Sequence, residues 1–157
     1  MAHKVSVIGL GNILMQDEGV GVHAVRALQE RCPATPMVEF VDGGTAGLDL
    51  LPFIEGRDRV LFVDAVNFRK EPGYLGILRN QEIPAFFQVK HSLHHLGLPE
   101  VLAAARLLGV LPPEVCLLGI QPHTIAPGLQ LSPLLAALLP SVLERMAALL
   151  RDWGIFL

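Results

Sequence analysis

A chain of 157 residues, 52% hydrophobic and 17% charged, is long enough to bury one sizeable core and is expected to form a single domain over residues 1–157. Its net charge of -3 and its scattered basic residues, not interleaved with aromatics, argue against a nucleic-acid partner. The leucine-rich stretch from Leu129 to Leu150 is broken by Ser132, Pro133, Pro140, Ser141, Glu144 and Arg145, so no uncharged membrane span is expected.

The start, Met1-Ala2-His3-Lys4, runs straight into a strand without a signal-peptide layout, so the expected location is cytoplasmic. Cys32 and Cys116 stand far apart with no C-x-x-C spacing, and both are expected to be reduced.

The first strand is the β-branched run around Val5, Val7 and Ile8. It empties into Gly9-Leu10-Gly11-Asn12 and then into Asp17-Glu18-Gly19-Val20-Gly21. Gly9-x-Gly11 is only a partial dinucleotide fingerprint, because the third glycine position holds Leu14 and the helix starts late. Asp17 and Glu18 would suit a helix cap, but capping leaves the surrounding glycines without a reason. Gly19 and Gly21 are therefore expected to serve backbone geometry at a site, through positive φ or close approach.

A helix is expected from Val20 to Arg31, with Val20, Ala24, Ala27 and Leu28 on one face and Pro33 and Pro36 beyond its end. Met37 to Val41 reads as a second strand closing in the loop Asp42-Gly43-Gly44-Thr45, followed by a short helix from Leu48 to Ile54 distorted at Pro52. Val60 to Val63 is the third strand and ends in Asp64. Gly73 to Leu78 is a fourth, placed as an antiparallel edge because no helix separates it from the third.

Ile83 to Leu93 shows no clear period and is expected to be an ordered loop, leading into His91-Ser92-Leu93-His94-His95-Leu96-Gly97-Leu98. Pro99 to Leu108 is a helix with Gly109 as its stop, and Val115 to Ile120 is the fifth strand. After the loop Gln121 to Leu131, Ser132-Pro133 caps a long terminal helix, kinked near Pro140 and running to Trp153-Gly154. This order predicts a three-layer α/β fold with a five-stranded, mostly parallel sheet, one antiparallel strand and helices on both faces.

If the first and third strands are neighbours, their carboxyl ends bracket a cleft holding Glu18 and Asp64, with Asp42 to one side. The histidine segment precedes another strand and can reach the same edge. Two carboxylates and an imidazole form a mixed oxygen and nitrogen set suited to nickel or zinc, with an open position for water or for a metal carried by the substrate. Each residue has a plainer use, as a turn acid, an Asx turn or a loop histidine; their joint placement points to chemistry. Other chemistries lack their signatures: there is no G-x-S-x-G elbow, no paired Asp-Thr-Gly, no Walker A loop and no H-E-x-x-H.

The pieces Gly9-Leu10-Gly11-Asn12-Ile13-Leu14 to Asp17-Glu18-Gly19-Val20-Gly21, Asp42-Gly43-Gly44-Thr45, Val63-Asp64-Ala65, Ser92-Leu93-His94-His95-Leu96-Gly97-Leu98 and Gly119-Ile120-Gln121-Pro122 fall in order across nearly the whole chain. Together they resemble the hydrogenase maturation proteases, which process the large subunit of nickel-iron hydrogenases. The resemblance implies an endopeptidase that removes a C-terminal extension from the precursor once nickel is inserted. It implies a metal site of Glu18, Asp64 and His94, a further acid for cleavage at Asp42, nickel carried by the substrate, and no permanently bound cofactor. Among the acids, Asp42, Glu18 and Asp64 are the catalytic candidates, with the general base left open. His123 departs from the family pattern, in which an acid often follows Gln121-Pro122. A zinc peptidase with a permanent metal on these three residues, or a nickel-dependent docking chaperone that does not cut, are the alternatives.

Overall fold

The computed structural model describes residues 4–89 and 97–157. Five strands, β1 (Val5–Leu10), β2 (Val38–Gly44), β3 (Arg59–Ala65), β4 (Leu75–Arg79) and β5 (Glu114–Ile120), form one sheet in the order β2-β1-β3-β5-β4. The pairs β1 with β2, β1 with β3 and β3 with β5 are parallel, and only β4, at one edge, runs antiparallel. That is the expected architecture. The first and third strands are neighbours, as the cleft requires.

The sheet is covered on both faces because its strands alternate two apolar sets. Val5, Val7, Leu61, Val63, Cys116 and Leu118 pack with helix α1 (Val20–Arg31) and helix α5 (Pro133–Asp152). On the other face Ile8, Val60, Phe62 and Leu117 pack with residues of α2 (Leu51–Ile54), α3 (Glu82–Val89) and α4 (Leu98–Leu107).

Helix α1 has the bounds its sequence predicts, and Ser132 caps α5 by accepting from the Leu135 amide. Helix α5 continues through Pro140. By length and composition it is apolar enough to cross a bilayer; one face, with Leu135, Val142, Leu143, Met146, Leu149 and Leu150, is buried in the core.

Three expectations need correction. Residues 82–89 form α3 and not a loop. The Glu82 side chain accepts from the Arg79 amide at 2.8 Å, Pro84 falls in the first turn where its missing N–H costs nothing, and Ile83, Phe86 and Phe87 at helical spacing meet the core. The expected helix at 48–54 is a 3₁₀ turn, Gly47–Leu50, followed by one α-turn that begins at Leu51, so Pro52 starts that turn and distorts none. Asp42, Gly43 and Gly44 belong to β2, not to the loop after it.

Candidate active site

Between β1 and α1 lies the turn that carries the two adjacent acids, a 3₁₀ segment Gln16–Gly19. It is pressed onto the sheet by glycines. A Cβ on Gly21 would stand 2.0 Å from the Val63 carbonyl oxygen and 2.7 Å from that of Leu10, and a Cβ on Gly19 would stand 2.7 Å from the Ile13 Cα. Gly19 has φ of -88° and Gly21 is helical, so both glycines serve close approach and neither serves positive φ. The expected geometric role holds, by one of its two routes. At Gly21 the start of helix α1 thereby meets β1 and β3 backbone to backbone, and Glu18 is held above their carboxyl ends.

Asp64 is the penultimate residue of β3. Burial pushes its carboxyl up to about 7; the Ala65 amide opposes this, and the charge of Glu18 adds to the rise. Glu18 and Asp64 therefore share one electrostatic environment, and among the described residues neither is ion-paired.

Asp42 occupies the same edge but a different face. Gly9 of β1 is in register with Asp42 on one side and with Val63 on the other, so Asp42 points with Val63 toward the α1 face and Asp64, one residue on, points to the opposite face. Two strand spacings put the Asp42 and Asp64 Cα atoms about 10 Å apart. Asp42 is half-exposed, and Arg26 of α1 donates to its Oδ2 at 2.5 Å. It flanks the cleft without joining Glu18 and Asp64. His94 lies outside the described residues, as do His91 and His95; α3 and α4, the helices that precede and follow them in sequence, pack on the face to which Asp64 points. Among the described residues no group of three or more His, Cys, Asp or Glu is arranged to hold a metal.

Asp17 does something the sequence did not reveal. Its side chain is fully buried and caps no helix. Oδ2 accepts from the His123 amide at 3.0 Å, the Thr124 amide at 2.8 Å and the Ser132 hydroxyl at 2.7 Å, and Oδ1 accepts from the Ser132 amide at 2.7 Å. Burial works to raise its pKa, but these hydrogen bonds outweigh it and hold the carboxyl below its ordinary value. His123 contributes its backbone to this anchor while its ring pairs with the Thr124 hydroxyl at 2.8 Å, so the departure from the family pattern at this position leaves the anchor intact.

Gln121 is the second residue that sequence reasoning left without a role. Its Oε1 accepts from the Phe68 amide at 2.7 Å and the Lys70 amide at 3.4 Å, and its Nε2 donates to Asn67 Oδ1 at 3.2 Å. The segment after β5 thus grips the chain after Asp64 through Gln121 and the chain before Glu18 through the donors to Asp17. An amide side chain at the carboxyl end of a buried strand was the available signal.

The matches to known proteins agree with this geometry. The sequence model of the family HycI, hydrogenase maturation protease, matches residues 22–149. Hydrogenase 2 maturation protease of Escherichia coli strain K12 is 41% identical over 153 residues, 97% of this chain and 93% of that protein. The hydrogenase expression/formation protein HupD of Rhizobium leguminosarum bv. viciae is 37% identical over 98% of this chain and 77% of its own length. Among solved structures, the hydrogenase maturating endopeptidase HybD from E. coli superposes with a TM-score of 0.90 at 41% identity, covering 98% of this chain and 95% of that one. The NiFe hydrogenase maturation protease HybD from Thermococcus kodakarensis gives 0.72 at 27% identity, covering 93% and 98%. Fold and relatives together define an α/β endopeptidase, which sets aside a docking chaperone that does not cut. The chain belongs to the hydrogenase maturation protease family.

Proposed function

We propose that this endopeptidase removes the C-terminal extension of a nickel-iron hydrogenase large-subunit precursor after nickel insertion, and that it recognises the nickel in its substrate through Glu18, Asp64 and His94. The observation that carries the reading is the acid pair itself: Glu18 and Asp64 repel across a partly buried edge with no cation beside them among the described residues. Such an arrangement costs free energy in the empty protein and is repaid when a divalent ion arrives with the substrate. No permanently bound cofactor is required by this scheme, and the reaction belongs in the cytoplasm where precursors are made.

Docking of the substrate nickel onto these ligands fixes the neighbouring peptide over the cleft, so cleavage depends on metal loading. A water attacks the carbonyl as a carboxylate takes its proton, and the same proton passes to the leaving nitrogen as the C–N bond breaks. A carboxyl raised to about 7, as at Asp64, holds its proton part of the time near neutrality in the free enzyme and gives it up as the substrate's metal docks. Asp42, on the α1 face and held by Arg26, is assigned to the peptide lying across the outer side of the edge, where it orients the extension for cleavage.

The test is incubation of the purified chain with nickel-loaded and nickel-free precursor, read by the substrate's mass. Loss of the C-terminal extension only from the loaded form is the expected result. Equal cutting of both forms defeats nickel recognition, and a zinc ion retained through purification would favour a resident metal on the same residues.

A further inference from the structure

We infer that Asp17 is a positioning residue for Glu18, an inference that rests on the proposed role of Glu18 in substrate recognition. The two adjacent acids divide the work: one faces inward and fixes the turn, and the other is thereby aimed outward.

Locally the turn is closed by the Met15 amide donating to the Asn12 carbonyl at 3.1 Å and the Glu18 amide to the Met15 carbonyl at 3.2 Å. Gln16 has φ of +50°, a left-handed conformation that a residue with a Cβ adopts at a cost, and neither the 3₁₀ segment nor α1 begins with a side-chain cap. Bonds from far along the chain maintain it. The Gln16 amide donates to the Gly128 carbonyl at 3.0 Å, the Gly128 amide to the Leu14 carbonyl at 2.9 Å, and the Asp17 amide to the Thr124 carbonyl at 3.1 Å. The Asp17 carboxylate completes the fastening with both oxygens occupied.

In a 3₁₀ turn consecutive side chains are rotated by about 120°. Fixing Asp17 toward the 123–132 segment therefore turns Glu18 away from it, above the carboxyl ends of β1 and β3. Only a carboxylate serves at this position. A carboxamide in place of the Asp17 carboxylate would have to turn its own N–H toward at least one donor, because N–H or O–H groups approach both oxygens.

The experiment compares Asp17→Asn, Glu18→Gln and the double variant by single-turnover cleavage of nickel-loaded precursor with enzyme in excess, at a temperature where circular dichroism shows each variant fully folded. Asp17→Asn alone is expected to lower the cleavage rate at least about tenfold, the scale of a misplaced group at a site. In the Glu18→Gln background the same change should matter by less than about twofold, the scatter of uncoupled effects. A merely structural role predicts a lower melting temperature with a wild-type rate per folded molecule, or an equal fold-loss in both backgrounds, and either result overturns the inference. Should Asp17→Asn not fold, Ser132→Ala removes one donor to Asp17 and keeps the others; a rate about threefold lower at full folding sustains the inference, and an unchanged rate overturns it. Near-normal cleavage by Glu18→Gln would remove Glu18 from the site and this inference with it. A crippled Glu18→Gln beside an unaffected Asp17→Asn would overturn this inference alone.

Discussion

Gly21 of α1 lies directly against the carbonyl of Val63 in β3, so close that a Cβ would come within 2.0 Å of the oxygen. The obstacle is backbone on both sides, and no side-chain rotation relieves it. Gly21→Ala should therefore lift the start of α1 from the sheet, lower stability by about 1–3 kcal/mol or more, and separate Glu18 from Asp64. Thermal unfolding together with cleavage of nickel-loaded precursor checks this; an unchanged melting temperature would show that the helix start yields freely.

The pH dependence of Asp64 has a definite sign. Its carboxyl rises from 3.8 to about 7 on folding, so between those values the folded protein binds more protons than the unfolded chain, and this residue's contribution to stability falls as pH rises through that window. Asp64→Asn should remove that slope from unfolding measurements made between about pH 4 and pH 7. Under the proposed nickel recognition, precursor docking should change in the opposite direction, strengthening as pH rises toward and past 7, because protons would compete with the metal for the same oxygens.

Asp17 gives the reverse profile. Its carboxyl lies below the ordinary 3.8, so its stabilisation is present above that value and is lost as acid protonates the folded form. Asp17→Asn should flatten the acid limb of the stability curve while leaving the slope due to Asp64 in place. A variant with the wild-type acid limb would mean that other carboxylates dominate there.

The Arg26–Asp42 pair is exposed, with side chains 49% and 43% accessible, so it adds at most about 1 kcal/mol. Arg26→Gln should leave unfolding within that margin. Asp42→Asn should likewise preserve the fold but slow cleavage, since its proposed use is against the substrate. Normal cleavage by Asp42→Asn would reduce Asp42 to a surface ion pair.

Gln121→Leu should cost about 1–3 kcal/mol, because the Phe68 amide loses its acceptor in a part-buried place. Hydrogen exchange at Phe68 reports the change directly, and unaltered protection there would count against the clamp.

The strands and α1 were legible because the β-branched or apolar runs stop at Gly, Asp, Asn or Gln-Pro, and because α1 repeats its apolar residues at helical spacing. Helix α3 was missed although Ile83, Phe86 and Phe87 keep that spacing, since eight residues offer barely two turns of pattern. The shared edge of Glu18 and Asp64 followed from strand order. The opposite facing of Asp42 did not, because it depends on the register of Gly9 with both neighbouring strands. The use of Asp17 was the least legible feature: its partners lie 106 to 115 residues away, and no local pattern announces them.

That separation orders events during synthesis. A ribosome delivers Glu18 and Asp64 long before Ser132, at about 5–20 residues per second from the amino end. A growing polypeptide that already displays both acids has the glycine contacts and local bonds of the turn between β1 and α1, but none of the partners of the Asp17 carboxylate. The fastening of Asp17 comes only with the donors at His123, Thr124 and Ser132, which follow the fifth strand in sequence. A truncated product ending before Ser132 would carry Glu18 and Asp64 without the two bonds that Ser132 gives to Asp17.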